Sequence, residues 1–138
     1  MSVEQHKALA RRFYELIDQG EMDTIVSEIF TEDFKWDYPG IDGYVTPEDM
    51  HKKLGSVAGA FSDMDHPPVK MVGEGNMLAA RVDFTGTHTG PYEGVPASGN
   101  KISFSAIDLF YFENGRVKEI LTTYDLLGLL GQMGVEIS

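Results

Sequence analysis

The sequence predicts one α+β domain over residues 1–138, in which a curved antiparallel sheet carries three N-terminal helices on its concave side. Two observations lead to this fold class. The N-terminal half contains segments whose apolar residues recur at helical spacing, whereas the C-terminal half alternates apolar and polar residues, as half-buried strands do. Helices that are segregated from a meander of antiparallel strands are typical of the α+β class.

The charge balance restricts the partners that the chain can have. It carries 22 acidic and 11 basic residues, a net charge of −11, which argues against nucleic acid and against an anionic membrane surface. No apolar run approaches the roughly 20 residues of a membrane span, and the N-terminus lacks the apolar core of a signal peptide. We therefore expect a cytoplasmic protein with a small-molecule or protein partner. The absence of cysteine excludes disulfides and thiolate metal sites.

The first predicted helix runs from Val3 to Gln19 and ends at Gly20, a residue that commonly terminates helices. Phe13 and Tyr14 are adjacent, so they point to different sides, and only one is expected to face deep into a pocket. Phe13 is favoured, because it continues the apolar stripe. Either residue could line a pocket, although packing alone would account for Phe13.

The second helix is predicted from Met22 to Phe30, followed by a break at residues 31–33. A short strand comes next, in which Phe34, Trp36 and Tyr38 share one face. Tryptophan and tyrosine combine apolar area with one hydrogen-bonding group, so Trp36 and Tyr38 are candidate pocket residues.

The third helix has the clearest start signal in the chain. Thr46 supplies a capping hydroxyl, Pro47 suits the first helical position, and acidic residues follow. The helix is expected to continue to about Phe61, with Lys53 in solvent. Residues 62–68 are predicted to form a loop, and nothing recommends His66 beyond a role in that turn.

Two strands near the middle of the chain contain the candidate catalytic residues. From Leu78, every second residue is apolar as far as Gly86, so His88 continues the apolar face if no bulge intervenes. From Ile102, the same count places Asp108 among aromatic residues, next to Phe104 and Phe110 on one face. A carboxylate in such surroundings loses hydration, which raises its pKa toward the range that general acid and base catalysis uses. The alternative is a structural carboxylate paired with a cation or a backbone donor.

The remaining elements complete the meander. Strands are predicted at 69–73, 77–87 and 117–124, and Asn114-Gly115 signals a tight hairpin. Residues 125–133 should form a short apolar helix capped by Asp125, which either covers the domain's own cavity or packs on a second subunit.

No glycine-rich phosphate loop, metal-ligand spacing or nucleophile-elbow motif occurs. The chemistry that remains is acid and base catalysis without a cofactor, or simple binding.

Five segments in order resemble the SnoaL-like polyketide cyclases, also called ester cyclases, of the nuclear-transport-factor-2-like cone fold. The resemblance covers nearly the whole chain, and the segments are Ala10-Arg11-Arg12-Phe13-Tyr14-Glu15, Gly86-Thr87-His88-Thr89-Gly90, Gly94-Val95-Pro96 with Ser98-Gly99, Ala106-Ile107-Asp108-Leu109-Phe110, and Asp125-Leu126-Leu127-Gly128-Leu129-Leu130.

The resemblance implies a cyclase that closes a ring by intramolecular aldol condensation, with Asp108 as acid and base and His88 nearby, and with no cofactor. Ketosteroid isomerase shares the fold, and its oxyanion-donating aspartic acid resembles Asp108. Its catalytic tyrosine would correspond to Phe13 in the register from Gly20, and its general-base carboxylate to Tyr38 before a proline. Isomerase activity is therefore disfavoured.

The leading hypothesis is a cofactor-free cyclase that acts on a small hydrophobic carbonyl compound, such as a polyketide ester. A hydrogen bond from Tyr38 or Tyr14 to the enolate oxygen would assist it. The alternative is a small-molecule-binding or dimerisation module of the same fold without catalysis. Epoxide hydrolysis would need a second buried carboxylate, for which Glu119 is the one candidate.

A homodimer is also expected, because Ile107, Leu109 and Tyr111 make the convex face of their strand apolar.

Overall fold

The computed structural model describes residues 1–39 and 43–136, and it confirms the α+β class. The helices are α1 (Val3–Asp18), α2 (Met22–Thr24, continued by a π-helical turn over Ile25–Ile29), α3 (Pro47–Ala60) and α4 (Leu126–Gln132). The strands are β1 (Phe30–Asp37), β2 (Phe61–Asp65), β3 (Pro68–Glu74), β4 (Met77–His88), β5 (Lys101–Glu113) and β6 (Arg116–Tyr124). None of the helices in the described residues is long and apolar enough to cross a membrane.

The six strands form one strongly curled sheet in the order β1-β6-β5-β4, with β2 and β3 both paired to the far edge of β4. An antiparallel sheet was predicted, but the sheet is mixed. Strand β1 runs parallel to β6, with Trp36 opposite Ile120. The direction of β1 was not visible in the sequence, because β1 pairs with a strand far along the chain and not with a hairpin neighbour.

Two segments that were predicted to be irregular, residues 31–33 and 62–68, contain strands instead. Strand β1 already begins at Phe30 and includes residues 31–33, where a break was predicted, and the rings of Phe30 and Phe34 stack at 3.6 Å. Strand β2 occupies most of the predicted loop at 62–68. Its exposed polar residues Ser62, Asp63 and Asp65 suit an edge strand, and pairing with the end of β4 holds it in place.

Helix α1 lies in the concavity of the sheet. Its start is a capping box, in which the Gln5 backbone N–H donates to the Ser2 hydroxyl at 3.2 Å and the Ser2 N–H donates to the Gln5 side chain at 2.7 Å. Phe13 and Tyr14 are 1 % and 2 % exposed, so the expectation that only one of them faces deep inward is wrong. A curled sheet wraps around the helix, so two residues about 100° apart on the helix both meet it.

The C-terminal elements follow the sequence prediction closely. Asn114 and Gly115 both have positive φ, as a tight two-residue hairpin requires. Asp125 caps α4, with its carboxylate accepting from the Gly128 N–H at 2.8 Å. Leu129 is buried against the domain's own core, so α4 covers its own cavity, the first of the two predicted arrangements.

Candidate functional site

A cavity of about 80 Å³ lies between the concave face of the sheet and helices α1, α3 and α4. Its wall is mainly apolar, with Phe13, Ile17, Trp36, Leu54, Val57, Phe61, Val82, Phe84, Phe104, Ala106 and Leu129. Seven polar side chains complete it: Tyr14, Tyr38, His66, Tyr92, Asp108, Thr122 and Tyr124. An apolar enclosure with a few convergent polar groups is the usual form of a small-molecule site.

Asp108 is the centre of a hydrogen-bonded chain in the wall of this cavity. The Tyr14 hydroxyl donates to its Oδ2 at 2.6 Å, and the Thr122 hydroxyl donates to its Oδ1 at 2.5 Å. The Trp36 indole N–H donates to the Thr122 oxygen at 2.8 Å, so the Thr122 proton is directed at Asp108. Each carboxylate oxygen of Asp108 therefore accepts a hydrogen bond from one hydroxyl group.

The electrostatics of Asp108 agree with the sequence prediction. The residue is 6 % exposed, and burial raises its pKa, while the hydrogen bonds from Thr122 and Tyr14 and the charge of His66 lower it in part. Burial and the negative charge of Asp108 raise the pKa of Tyr14 far above its ordinary value, so Tyr14 remains a proton donor. The arrangement can accept and return a proton in apolar surroundings.

A second hydrogen-bonded group in this region is the pair formed by Asp18 and His66. Asp18 lies one helical turn after Tyr14, so both point from the same face of α1 toward the sheet. The Asp18 carboxylate accepts from the His66 backbone N–H at 2.9 Å, and its other oxygen lies 2.5 Å from His66 Nδ1. His66 was expected to have only a turn role, whereas the structure places its ring in the cavity wall.

Three phenols, Tyr38, Tyr92 and Tyr124, form a second polar cluster in the cavity wall. Burial, and then the neighbouring Tyr92 and Tyr124, raise the pKa of Tyr38 well above its ordinary value. Lys53 Nζ lies 4.4 Å from the centre of the Tyr38 ring and donates to the Tyr92 hydroxyl at 3.4 Å. The Lys53 side chain is only 11 % exposed, so the expectation that it lies in solvent is wrong.

Several predicted pocket residues do line the cavity, and two do not. Phe13, Tyr14, Trp36, Tyr38 and Phe104 are in its wall. Phe110 lies outside the wall that the described residues form, and its ring supports Phe13 and Tyr14 edge-on at 5.8 and 6.0 Å.

Glu119 also lies outside that wall. Val117 and Ile120 are buried, and these positions are three residues apart, so an irregularity in β6 turns Glu119 to the other side. Glu119 therefore does not supply the second buried carboxylate that epoxide hydrolysis would need.

His88 continues the buried face of β4 as predicted, but it does not reach the cavity wall of the described residues. Its Nδ1 accepts the Ser98 backbone N–H at 3.2 Å and lies 2.9 Å from the Ser98 hydroxyl. The ring is fully buried beside Phe61. His88 therefore holds the link between β4 and β5, and its predicted place beside Asp108 in the pocket is not found.

The sequence reasoning missed several polar groups of this site, namely Asp18, His66, Tyr92, Thr122 and Tyr124. The four-residue spacing of Tyr14 and Asp18 was a usable signal, because it places both side chains on one face of α1. Thr122 lies opposite Asp108 only because the irregularity in β6 shifts the register by one residue. A regular hairpin from the Asn114-Gly115 turn would place Leu121 there, so no signal in the sequence indicated Thr122. No local pattern indicated His66 or Tyr92.

Comparison with protein families identifies a family that the sequence matches. A model of the SnoaL-like polyketide cyclases matches residues 7–133, which is most of the chain. No curated protein matches the sequence.

Solved structures resemble the fold along nearly its whole length. TsrD from Streptomyces laurentii is 26 % identical, with a TM-score of 0.85, over 97 % of this chain and 98 % of that one. A protein of Jannaschia sp. CCS1 that is assigned as a SnoaL-like polyketide cyclase has a TM-score of 0.88 at 21 % identity, over 99 % and 98 % of the two chains. AclR from Streptomyces galilaeus, assigned as a hydroxylase, has a TM-score of 0.85 at 24 % identity, over 96 % and 98 %.

Proposed function

Because the chain belongs to the SnoaL-like polyketide cyclase family, we propose that it is a cyclase that closes a ring by intramolecular aldol condensation of a small hydrophobic carbonyl compound. The fold alone does not choose this chemistry, since a structure as similar as AclR is assigned as a hydroxylase. The choice rests on the site, and above all on one observation. Asp108 is a buried carboxylate in an apolar cavity, held by two hydroxyl donors.

The first step of this reaction needs a base. Asp108 removes a proton from the carbon next to a carbonyl group, because a desolvated carboxylate with a raised pKa is a stronger base than one in water. The electron pair of the broken C–H bond moves into the enolate. Once Asp108 carries the proton, it can donate to the Tyr14 oxygen, and the Tyr14 proton becomes free to stabilise the enolate oxygen.

The second step joins two carbons. The enolate carbon attacks a second carbonyl group of the same molecule, whose oxygen becomes an alkoxide. The phenols of Tyr38, Tyr92 and Tyr124 lie in the cavity wall and supply hydrogen bonds for the carbonyl oxygens of the substrate.

The substrate class follows from the lining. Phe13, Trp36 and Phe104 offer aromatic surface, which suits a flat, largely apolar molecule. A volume of about 80 Å³ holds a few waters or one small ring, so a larger substrate must displace side chains from the wall.

The experiment that tests this proposal follows exchange of carbon-bound hydrogen. Indanone, a small aromatic ketone, is incubated with the protein in D2O, and loss of its α-proton signal is measured by NMR. We expect the wild type to accelerate exchange and Asp108→Asn to abolish the acceleration without unfolding. Asp83→Asn is the matched control, because Asp83 lies on the outer face of β4 and bonds to Ser105 there.

The alternative of a passive binding module predicts a different result. Trp36 is the single tryptophan and lies in the cavity wall, so its fluorescence reports ligand entry. Binding of indanone without accelerated exchange, or equal exchange in wild type and Asp108→Asn, would contradict the proposed catalytic role.

We also propose a homodimer formed through the convex face of the sheet. Val72, Ala79, Leu109 and Leu121 are successive partners across β3, β4, β5 and β6, so they form one apolar row on that face. Val72, Leu121 and nearby Ile107 are 58 %, 39 % and 45 % exposed in the single chain. Association of two such faces would remove this apolar surface from water.

A further inference from the structure

The pair formed by Asp18 and His66 has no part in the steps described so far. The two side chains are only 22 % and 15 % exposed, and they are joined by two hydrogen bonds through the backbone and the ring of His66. A histidine fastened at both points cannot turn freely. Its orientation in the cavity wall is therefore set by Asp18.

The hydrogen bond fixes which ring nitrogen is available. A carboxylate can only accept, so the contact of 2.5 Å requires a proton on Nδ1 of His66. The second nitrogen, Nε2, has no hydrogen-bond partner recorded among the described residues, although the ring is mostly buried. Nε2 is therefore the ring nitrogen that is left for contact with a bound molecule while Asp18 holds the ring.

Asp108 and His66 interact electrostatically. Both line the same cavity, and the charge of His66 is one of the influences that lower the pKa of Asp108 after burial has raised it. The His66 ring packs edge-on against Phe84, another residue of the cavity wall, at 4.9 Å. Both groups are also hydrogen-bonded to helix α1. Tyr14 bonds to Asp108. Asp18, one helical turn later, bonds to His66.

We propose that His66 is the second acid and base of the reaction, with Asp18 as the residue that positions it. This inference rests on the proposed aldol condensation and assigns the proton that the alkoxide requires. Asp108 takes the carbon-bound proton, the enolate forms the C–C bond, and the π electrons of the second carbonyl become the alkoxide lone pair. Nε2–H of protonated His66 then gives its proton to that alkoxide. Transfer of the proton from Asp108 to His66, through water or product, restores the starting state.

The first test examines the pair without any substrate. Protein with ¹⁵N-labelled histidine is studied by NMR at a pH where the ring is neutral, and His66→Gln assigns the signals. We expect wild-type His66 to carry its proton on Nδ1, and Asp18→Asn to shift the population toward Nε2–H, the form usually favoured by a free ring. Glu15→Gln is the matched control, because Glu15 is an exposed acid of the same helix.

The second test separates the two catalytic groups. A β-hydroxy ketone with a naphthyl group is cleaved in the reverse reaction, and the aldehyde released is fluorescent. In this direction His66 takes the hydroxyl proton and Asp108 returns a proton to carbon. His66→Gln should lose at least 10-fold in cleavage, the lower part of the range for general acid–base catalysis, and should retain exchange of the indanone α-proton. Asp108→Asn should lose both reactions.

Each outcome bears on a different statement. If wild-type His66 carries its proton on Nε2, or if His66→Gln cleaves the ketone as fast as the wild type, His66 is not the second acid and base. If wild type cleaves no ketone but exchanges protons through Asp108, the role of His66 is likewise overturned and that of Asp108 as a base stands. If Asp108→Asn retains exchange, the proposed function fails, whatever the tautomer of His66.

Discussion

The hydrogen bond from Tyr14 to Asp108 should set how strongly this carboxyl holds its proton. Tyr14→Phe removes the donor that lies 2.6 Å from Oδ2 and leaves the aromatic ring, which packs edge-on against Phe110. Because this hydrogen bond is among the influences that lower the pKa of Asp108, its loss must raise that pKa further. Thr122 still donates to Oδ1 in the variant, so the effect is that of one bond.

The size of the effect follows from the strength of such a bond. A hydrogen bond to a charged group contributes about 1.5–3 kcal/mol, and one pKa unit corresponds to about 1.4 kcal/mol, so the pKa should rise by about 1–2 units. Stability changes with it. In the unfolded chain the pKa of this carboxyl is near 3.8, and burial in the folded state raises it. The free energy of unfolding therefore falls as pH rises from 3.8 through the folded pKa, by about 1.4 kcal/mol per pH unit.

Carboxyl-labelled aspartate NMR measures the titration of Asp108 in both proteins, with Asp108→Asn to assign the signal. Chemical denaturation at pH 4 and pH 8 should show that Tyr14→Phe loses more stability between these two values than the wild type does. Tyr111→Phe is the control, because Tyr111 lies on the same strand with its side chain on the other face. An unchanged Asp108 titration in Tyr14→Phe would refute the reasoning.

Two further predictions concern packing and assembly. A Cβ on Gly90 would lie 2.1 Å from the Gly59 carbonyl oxygen, so Gly90→Ala should lower the free energy of unfolding by about 2 kcal/mol or more. Gly55 lies in α3 with open space around it, so Gly55→Ala should raise the free energy of unfolding by about 0.5–1 kcal/mol. Chemical denaturation of both variants checks this, and equal effects would contradict it. If the convex faces associate, Leu121→Glu should convert a dimer into a monomer in sedimentation analysis, while Ser56→Glu on the exposed side of α3 should not. A monomeric wild type would rule out the dimer.

Local periodicity was sufficient for much of the fold. Alternation along β5 placed Asp108 on the buried face, and the same rule placed Trp36 of β1 and Tyr38, which directly follows β1, on the cavity side. Turn chemistry located the hairpin at Asn114 and the cap at Asp125. These predictions succeeded because the direction of a side chain within one element depends on its own backbone.

The sequence by itself therefore determined the α+β class, the family resemblance and the carboxylate at the centre of the site. Only the tertiary structure decided which groups meet that carboxylate. Tyr14 and Asp108 are 94 residues apart, and His66 and Asp18 are 48 apart, so no local pattern connects them. The curl of the sheet around α1 brings both Phe13 and Tyr14 into the cavity wall, where only one of them was expected. The wall also contains His66, which was not predicted, and not His88. Such contacts depend on how distant elements pack, which spacing along the chain does not record.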